Sequence, residues 1–191
     1  IVDETIDRLN ERPEMEAFVH GFATLTGGSG AAAVLLTDGS FGGISSRLIG
    51  GVTQAAPEHH GLCRWGLQAL REHTFRQVMR TDAAAVMKHG VALGRRTWEL
   101  FLSETGWVRE KIDKVICHQV GAANQKMILD LIGMPESKDF PSYPFLGNIG
   151  TVSLPLTAAL ATERGFLQRG DQVAMLGIGS GLNCMMLAVE W

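Results

Sequence analysis

The stretch 114–124, KVICHQVGAAN, decides the fold. Val115 and Ile116 begin a short apolar run that ends at Cys117, and the chain then delivers His118 into a turn rich in glycine and alanine. A strand that ends in a titratable residue just before a glycine turn puts that side chain at the strand's carboxyl edge. In open α/β sheets, ligands bind at that edge. A second stretch, LGNIG at 146–150, has the same character: Asn148 is bracketed by Gly147 and Gly150, just ahead of an apolar helix. One imidazole and one carboxamide, each released at the end of a core element, can aim hydrogen bonds at one carbonyl oxygen.

Outward from that strand, the chain reads as strands alternating with helices, which argues for α/β layers. Toward the amino terminus, 1–16 reads as a polar amphipathic helix with Ile1, Ile6 and Leu9 as its apolar positions, and 18–25 and 31–37 read as strands. The second of these is apolar throughout, the pattern of a strand buried on both faces. Asp38-Gly39 is a turn signal. The span 49–60, with glycines and a proline, reads as loop with some strand. Thr81-Asp82 offers a helix N-cap, followed by Met87, Val91, Gly94, Trp98, Phe101 and Leu102 at helical spacing, and Gly106 as the stop. Met127, Ile128, Leu131 and Ile132 form a second helical stripe, closed by Gly133 and Pro135. A third helix runs over about 152–163, with Pro155 tolerated in its first turn. Two closing strands follow, at 172–178 and 183–190.

The bulk numbers set limits. With 191 residues, 46% apolar and 19% charged, the chain can build a large core, and its net charge of −3 gives no general pull toward nucleic acid or anionic membrane. No apolar run reaches the roughly 18 residues needed to cross a bilayer. Cys63, Cys117 and Cys184 show no close pairing, which fits a reduced, cytoplasmic setting. On a strand, Cys117 and His118 point to opposite faces, so Cys117 reads as a core thiol and not as a partner of His118. Cys184, inside an apolar strand, reads the same way. His59, His60, Cys63 and His73 fit no standard zinc spacing and read as part of a surface or lid segment. The glycines from Gly177 to Gly181 are followed by a strand rather than a helix, so no helix N-terminus is there to hold a dinucleotide phosphate.

A weak internal repeat bears on the organisation. Gly28-Ser29-Gly30 precedes one apolar run and Gly179-Ser180-Gly181 precedes another, about 150 residues apart and far beyond solenoid periods. Two copies of one α/β unit are expected, the first extending before Ile1. The expected division is 1–55 as the end of a first half, 56–80 as a connecting or lid segment, and 81–191 as the second half.

Three motifs together carry a resemblance. His118-Gln119, then Asn124 after a short Gly/Ala insert, resembles the His-Gln-Ala-Asn stretch of ketoacyl synthase III enzymes in the thiolase superfamily. The run from Leu146 to Pro155 resembles their Gly-Asn…Ser-x-Pro motif, and Gly179-Ser180-Gly181-Leu182 resembles their terminal glycine-rich loop. The resemblance spans essentially the whole chain, as the carboxyl-terminal portion of such an enzyme. It implies the thiolase fold, a layered αβαβα arrangement of two similar halves. It also implies a Cys-His-Asn triad in which the cysteine, carried by the amino-terminal half of the same enzyme before Ile1, takes up an acyl group as a thioester.

By that resemblance, His118 and Asn148 hydrogen-bond the thioester oxygen of the second substrate as its enolate forms. The Ser180 N–H, set between Gly179 and Gly181, joins the missing cysteine's N–H in an oxyanion hole. Asn124 holds the His118 region, and Lys126 lies near coenzyme A phosphates. The resemblance implies a homodimer acting on acyl-CoA, with no cofactor beyond coenzyme A as part of the substrate and no metal. Asn148 stands where degradative thiolases carry a histidine. The insert 120–123 and the long segment 50–80 are most similar to the acyl-CoA condensing enzymes that begin bacterial long-chain olefin synthesis. Those join two fatty acyl-CoA molecules head to head, without decarboxylation, to a 2-alkyl-3-ketoacid. For that branch the base that takes the α-proton is a glutamate outside this chain. A decarboxylative 3-oxoacyl-acyl carrier protein synthase III is the alternative, and a non-catalytic binding relative would lack the cysteine.

Overall fold

Val115, Ile116 and Cys117 all lie in the core, yet on two sides of it: Val115 and Cys117 pack into one apolar cluster and Ile116 into another. That alternation is the two-residue period of a strand buried on both faces. In a computed structural model describing residues 2–40, 42, 46–71 and 73–191, the strand is β4 (Lys114–Cys117) of a four-stranded sheet. The other members are β1 (Arg47–Ala55), β5 (Gln172–Gly179) and β6 (Asn183–Glu190), in the order β1-β6-β5-β4. β4 runs parallel to β5, pairing Cys117 with Leu176, while β5–β6 and β6–β1 are antiparallel.

One face of the sheet is covered by α3 (Ala83–Thr105) and α4 (Ala122–Ile132), whose Leu93, Trp98, Phe101, Leu129 and Ile132 meet Ala174, Leu176, Cys184, Met186 and Ala188. The other carries α6 (Ser153–Glu163), whose Ala158 and Ala161 pack on Ile116 and Val173. The expected ends hold. Asp82 caps α3 by accepting the Ala85 N–H at 2.9 Å, and Gly106 and Gly133 close α3 and α4 at positive φ, where a side chain would be strained. The buried line of α3 runs through Gly90, Leu93, Thr97, Trp98 and Phe101, so it is rotated slightly from the stripe expected.

Ahead of β1 the structure departs from the sequence reading. The polar helix is shorter, α1 (Val2–Glu11), and breaks around Pro13; Ile1 lies outside the described residues. The span 18–25 is helix, not strand, within α2 (Met15–Leu25). Phe18 and Phe22 are four apart and their rings meet at 5.7 Å, the contact a helix makes. The expected doubly buried strand at 31–37 forms no strand, and Val34, Leu35 and Leu36 are all at least 70% exposed. A strand needs a neighbour to take its N–H and C=O groups, and among the described residues this run has no strand beside it. Asp38-Gly39 does turn, with Asp38 Oδ1 accepting the Ser40 N–H at 2.9 Å.

The stretch expected to end the first half contributes β1, which is the edge strand of the sheet of β4, β5 and β6. The connecting segment is a 3₁₀ turn (Pro57–Leu62) and an antiparallel hairpin of β2 (Cys63–Arg71) and β3 (Thr74–Thr81). The His59 ring there lies 3.7 Å from that of His89 of α3, tilted by 32°, and among the described residues no cluster of His, Cys, Asp and Glu could hold a metal. Also among them, no helix is long and apolar enough to cross a membrane.

Candidate active site

Because β4 and β5 are parallel, their carboxyl ends open on one edge of the sheet. His118 follows β4 there, its N–H donated to the Leu176 carbonyl at 2.9 Å, and Ser180 follows β5. The two-residue period puts the His118 side chain on the face of Ile116, the face that α6 covers. There Nδ1 of His118 lies 2.8 Å from Oγ of Ser153, the first residue of α6. Cys117 points the opposite way into the core. Burial, with the Asp139 carboxyl beside it, pushes its thiol well above the ordinary range. Cys184 is likewise raised by burial. Neither thiol is an activated nucleophile.

The loop that carries Asn148 is linked to the end of β4 through two tethers. Ahead of it, Gln119 folds back to donate from Nε2 to the Cys117 carbonyl at 2.7 Å. Its Oε1 accepts the N–H groups of Ser142 and Tyr143, at 2.8 and 3.2 Å. Behind it, Ser153 holds His118. The short helix α5 (Tyr143–Leu146) and the turn bearing Asn148 are therefore pinned at one end to residue 119 and at the other to residue 118. Gly28 packs beneath: its N–H donates to the Asn148 carbonyl at 2.9 Å, and a Cβ there would lie 2.2 Å from the Leu146 carbonyl oxygen. The Gly-Ser-Gly stretch at 28–30, read from sequence as a repeat marker, is here a seat for the Asn148 turn.

Both candidate side chains have one end engaged and one end free. Asn148 Oδ1 accepts the Gly150 N–H at 3.0 Å, which leaves its Nδ2 as the group able to donate outward. His118 uses Nδ1, which leaves Nε2. Neither Nδ2 nor Nε2 has a hydrogen-bond partner among the described residues. Burial alone lowers the His118 pKa below its ordinary 6.5, so the neutral imidazole prevails at neutral pH. Ser180 sits exposed in the β5–β6 turn, where its carbonyl accepts from Asn183 Nδ2 at 3.2 Å. Its N–H has no acceptor among the described residues. Gly181 has φ +126°, a conformation that glycine adopts without strain, whereas Gly179 has open space around it.

The remaining site expectations fall differently. Asn124, on the first turn of α4, makes no side-chain hydrogen bond among the described residues; the side chains tied to the His118 region are those of Gln119, Asp139 and Ser153. Lys126 is exposed and paired with Asp130 one helical turn on, Nζ to Oδ2 at 2.9 Å. Asp139 was not foreseen. It is 3% exposed, its Oδ1 accepts the Cys117 N–H at 3.1 Å, and its Oδ2 accepts from Gln125 Nε2 at 2.7 Å. Tyr143 closes the network by donating its hydroxyl to Gln125 Oε1 at 3.0 Å. Burial raises the Asp139 pKa against those hydrogen bonds. Ser153 and Gln119 were visible as motif letters beside the candidates, whereas Asp139 is hidden in the polar run ESKD at 136–139.

Residues 102–191 match the family of 3-oxoacyl-[acyl-carrier-protein (ACP)] synthase III C-terminal domains. Over its full length the chain is 55% identical to an acyl-CoA:acyl-CoA alkyltransferase of Shewanella oneidensis, of which it covers 56%. It superposes on a cysteine-to-alanine variant of Xanthomonas campestris OleA with a TM-score of 0.87 and 33% identity, covering 100% of this chain and 53% of that one. A cysteine-to-serine variant of the same OleA with bound lauric acid and lauroyl-CoA gives 0.80 at 30% identity, covering 100% and 54%. The chain thus has the thiolase fold, and it spans about half the length of the curated relatives it matches.

Proposed function

We propose that the complete protein is an acyltransferase that joins two fatty acyl-CoA molecules in a non-decarboxylative Claisen condensation, the first step of a long-chain olefin pathway. One acyl group passes from coenzyme A to a cysteine outside this chain, releasing the first free coenzyme A. A base, also outside this chain, takes the α-proton of the second acyl-CoA. The resulting enolate carbon attacks the acyl-cysteine carbonyl, and the thiolate leaves as the carbon–carbon bond forms. Hydrolysis of the remaining thioester gives the 2-alkyl-3-ketoacid and the second coenzyme A. His118 Nε2 and Asn148 Nδ2 donate to the enolate oxygen, and the Ser180 N–H donates to the oxygen of the acyl-cysteine. No cofactor is needed beyond the coenzyme A of the substrates. Lys126 would meet a coenzyme A phosphate by leaving Asp130.

The observation that carries this reading is that His118 Nε2 and Asn148 Nδ2 have no hydrogen-bond partner among the described residues, on two loops tied together by Gln119 and Ser153. The name of the Shewanella oneidensis relative favours two acyl-CoA substrates, and lauroyl-CoA bound to OleA favours a fatty acyl chain. Three free cysteines fit a reducing, cytoplasmic compartment, and the resemblance adds a homodimer. A second reading, decarboxylative synthesis from malonyl-acyl carrier protein, draws on the family match over 102–191.

Purified complete enzyme given myristoyl-CoA alone separates the two. Free coenzyme A plus a 3-keto acid, or the ketone it decays to, is the expected result. A strict requirement for a malonyl donor would replace this reading with the second. In the same assay His118→Ala is expected to lower turnover about 10²-fold, the scale of losing one such donor. Unchanged turnover would remove His118 from the mechanism.

A further inference from the structure

Ser153 is fully buried, and among the described residues its hydroxyl has one hydrogen-bond partner, Nδ1 of His118 at 2.8 Å. In a neutral imidazole one nitrogen donates and the other accepts, while a hydroxyl brings one proton of its own. Two arrangements satisfy the contact. If Nδ1–H donated to Oγ, the serine proton would be left without an acceptor away from water, a costly state for a buried donor. Nε2 would then present a lone pair to the site, and the imidazole would be equipped as a base. If Oγ–H donates to Nδ1, the serine proton is used and Nε2 carries the ring's proton outward.

The helix that Ser153 opens favours the second arrangement. α6 is eleven residues long, and its N-terminus is the positive end of the helix dipole. That end attracts the lone pair of Nδ1 and opposes both an N–H pointing at it and a charged ring. Burial lowers the His118 pKa in the same direction, toward the neutral imidazole. A neutral imidazole kept so by a helix N-terminus is an established way to polarise a carbonyl.

We propose that Ser153 is a positioning residue that fixes His118 as the Nε2–H tautomer, so that the imidazole meets a thioester oxygen as a hydrogen-bond donor and is not the base for the α-proton. What Nε2 meets rests on the condensation reading; which nitrogen carries the proton does not. The two donors then match, because Asn148, whose Oδ1 accepts the Gly150 N–H, also has an N–H left to donate. The α-proton must go to a group on another part of the enzyme.

The test is nitrogen NMR of the complete enzyme with isotope-labelled histidine at neutral pH, the His118 ring signals being assigned by their loss in His118→Asn. Nε2 protonated and Nδ1 unprotonated is the expected result. Ser153→Ala should let the Nδ1–H form appear and lower kcat about tenfold with little change in KM, and Ser153→Thr, which keeps the hydroxyl, should restore both. A wild-type spectrum with Nδ1 protonated would overturn the proposal. So would a folded Ser153→Ala enzyme that keeps the Nε2–H form and full kcat. The spectrum is read without turnover, so it stands even where His118→Ala turns over normally, a result that would strike only the condensation reading.

Discussion

The strands β4, β5 and β6 and the run 31–37 ahead of β1 all read as apolar in sequence, yet they end in opposite environments. In the first, Val115, Ile116, Cys117, Val173, Ala174 and Ala188 are all essentially removed from water, and α3 and α6 close the two faces. In the second, Val34, Leu35 and Leu36 stand in solvent; the β2–β3 hairpin that follows β1 likewise leaves Trp65, Leu67 and Phe75 on one exposed face, Trp65 at 76%. Apolar surface left out of a core marks an interaction site. A sequence pattern states what a segment is fit to contact; whether the contact is within reach depends on what else is present.

That contrast can be broken by mutation. Phe101→Ala, in the centre of the closed region, is expected to cost about 3–5 kcal/mol in denaturant unfolding. A cost below about 1 kcal/mol would mean that α3 is not the lid of the sheet. Asp139→Ala strips the acceptor from the buried Cys117 N–H and from Gln125, and should cost about 2–3 kcal/mol; no loss of stability would show that the network behind His118 is slack. Leu35→Ser probes the open region. If this run is covered in the complete enzyme, its loss should amount to about 2 kcal/mol there, whereas a change within about 0.5 kcal/mol is what a surface position gives.

The smallest expected effect is on pH dependence. Burial depresses the folded-state pKa of His118 below its ordinary 6.5, so the neutral ring stabilises the fold above that pH. The contribution is lost as pH falls through the lower, folded value. An active neutral imidazole therefore predicts that kcat stays flat from neutral pH down to about 6.5 and declines only below it. An acid limb centred above 6.5 would point to a charged working form.

How much of this was legible beforehand follows the same division. The strands at 172–178 and 183–190, the cap at Asp82 and the stops at Gly106 and Gly133 depend on local pattern and backbone conformation, and they appear where expected. In the sequence His118 stands out because it follows a core strand just ahead of a glycine turn, and Asn148 because it lies between glycines. The devices that hold them do not stand out. Gln119 and Ser153 act across 23 and 35 residues of chain, and Asp139 is a charged letter in a polar run that only the folded chain buries. The strand expected at 31–37 failed for the complementary reason: its pattern is that of a buried strand, but pairing is a property of the neighbour.

The most direct test is a crystal structure of the complete enzyme with an acyl-CoA bound in the second-substrate position. His118 Nε2 and Asn148 Nδ2 are expected within about 3.2 Å of the same thioester oxygen. An imidazole and a carboxamide more than about 8 Å apart, or facing different cavities, would contradict it.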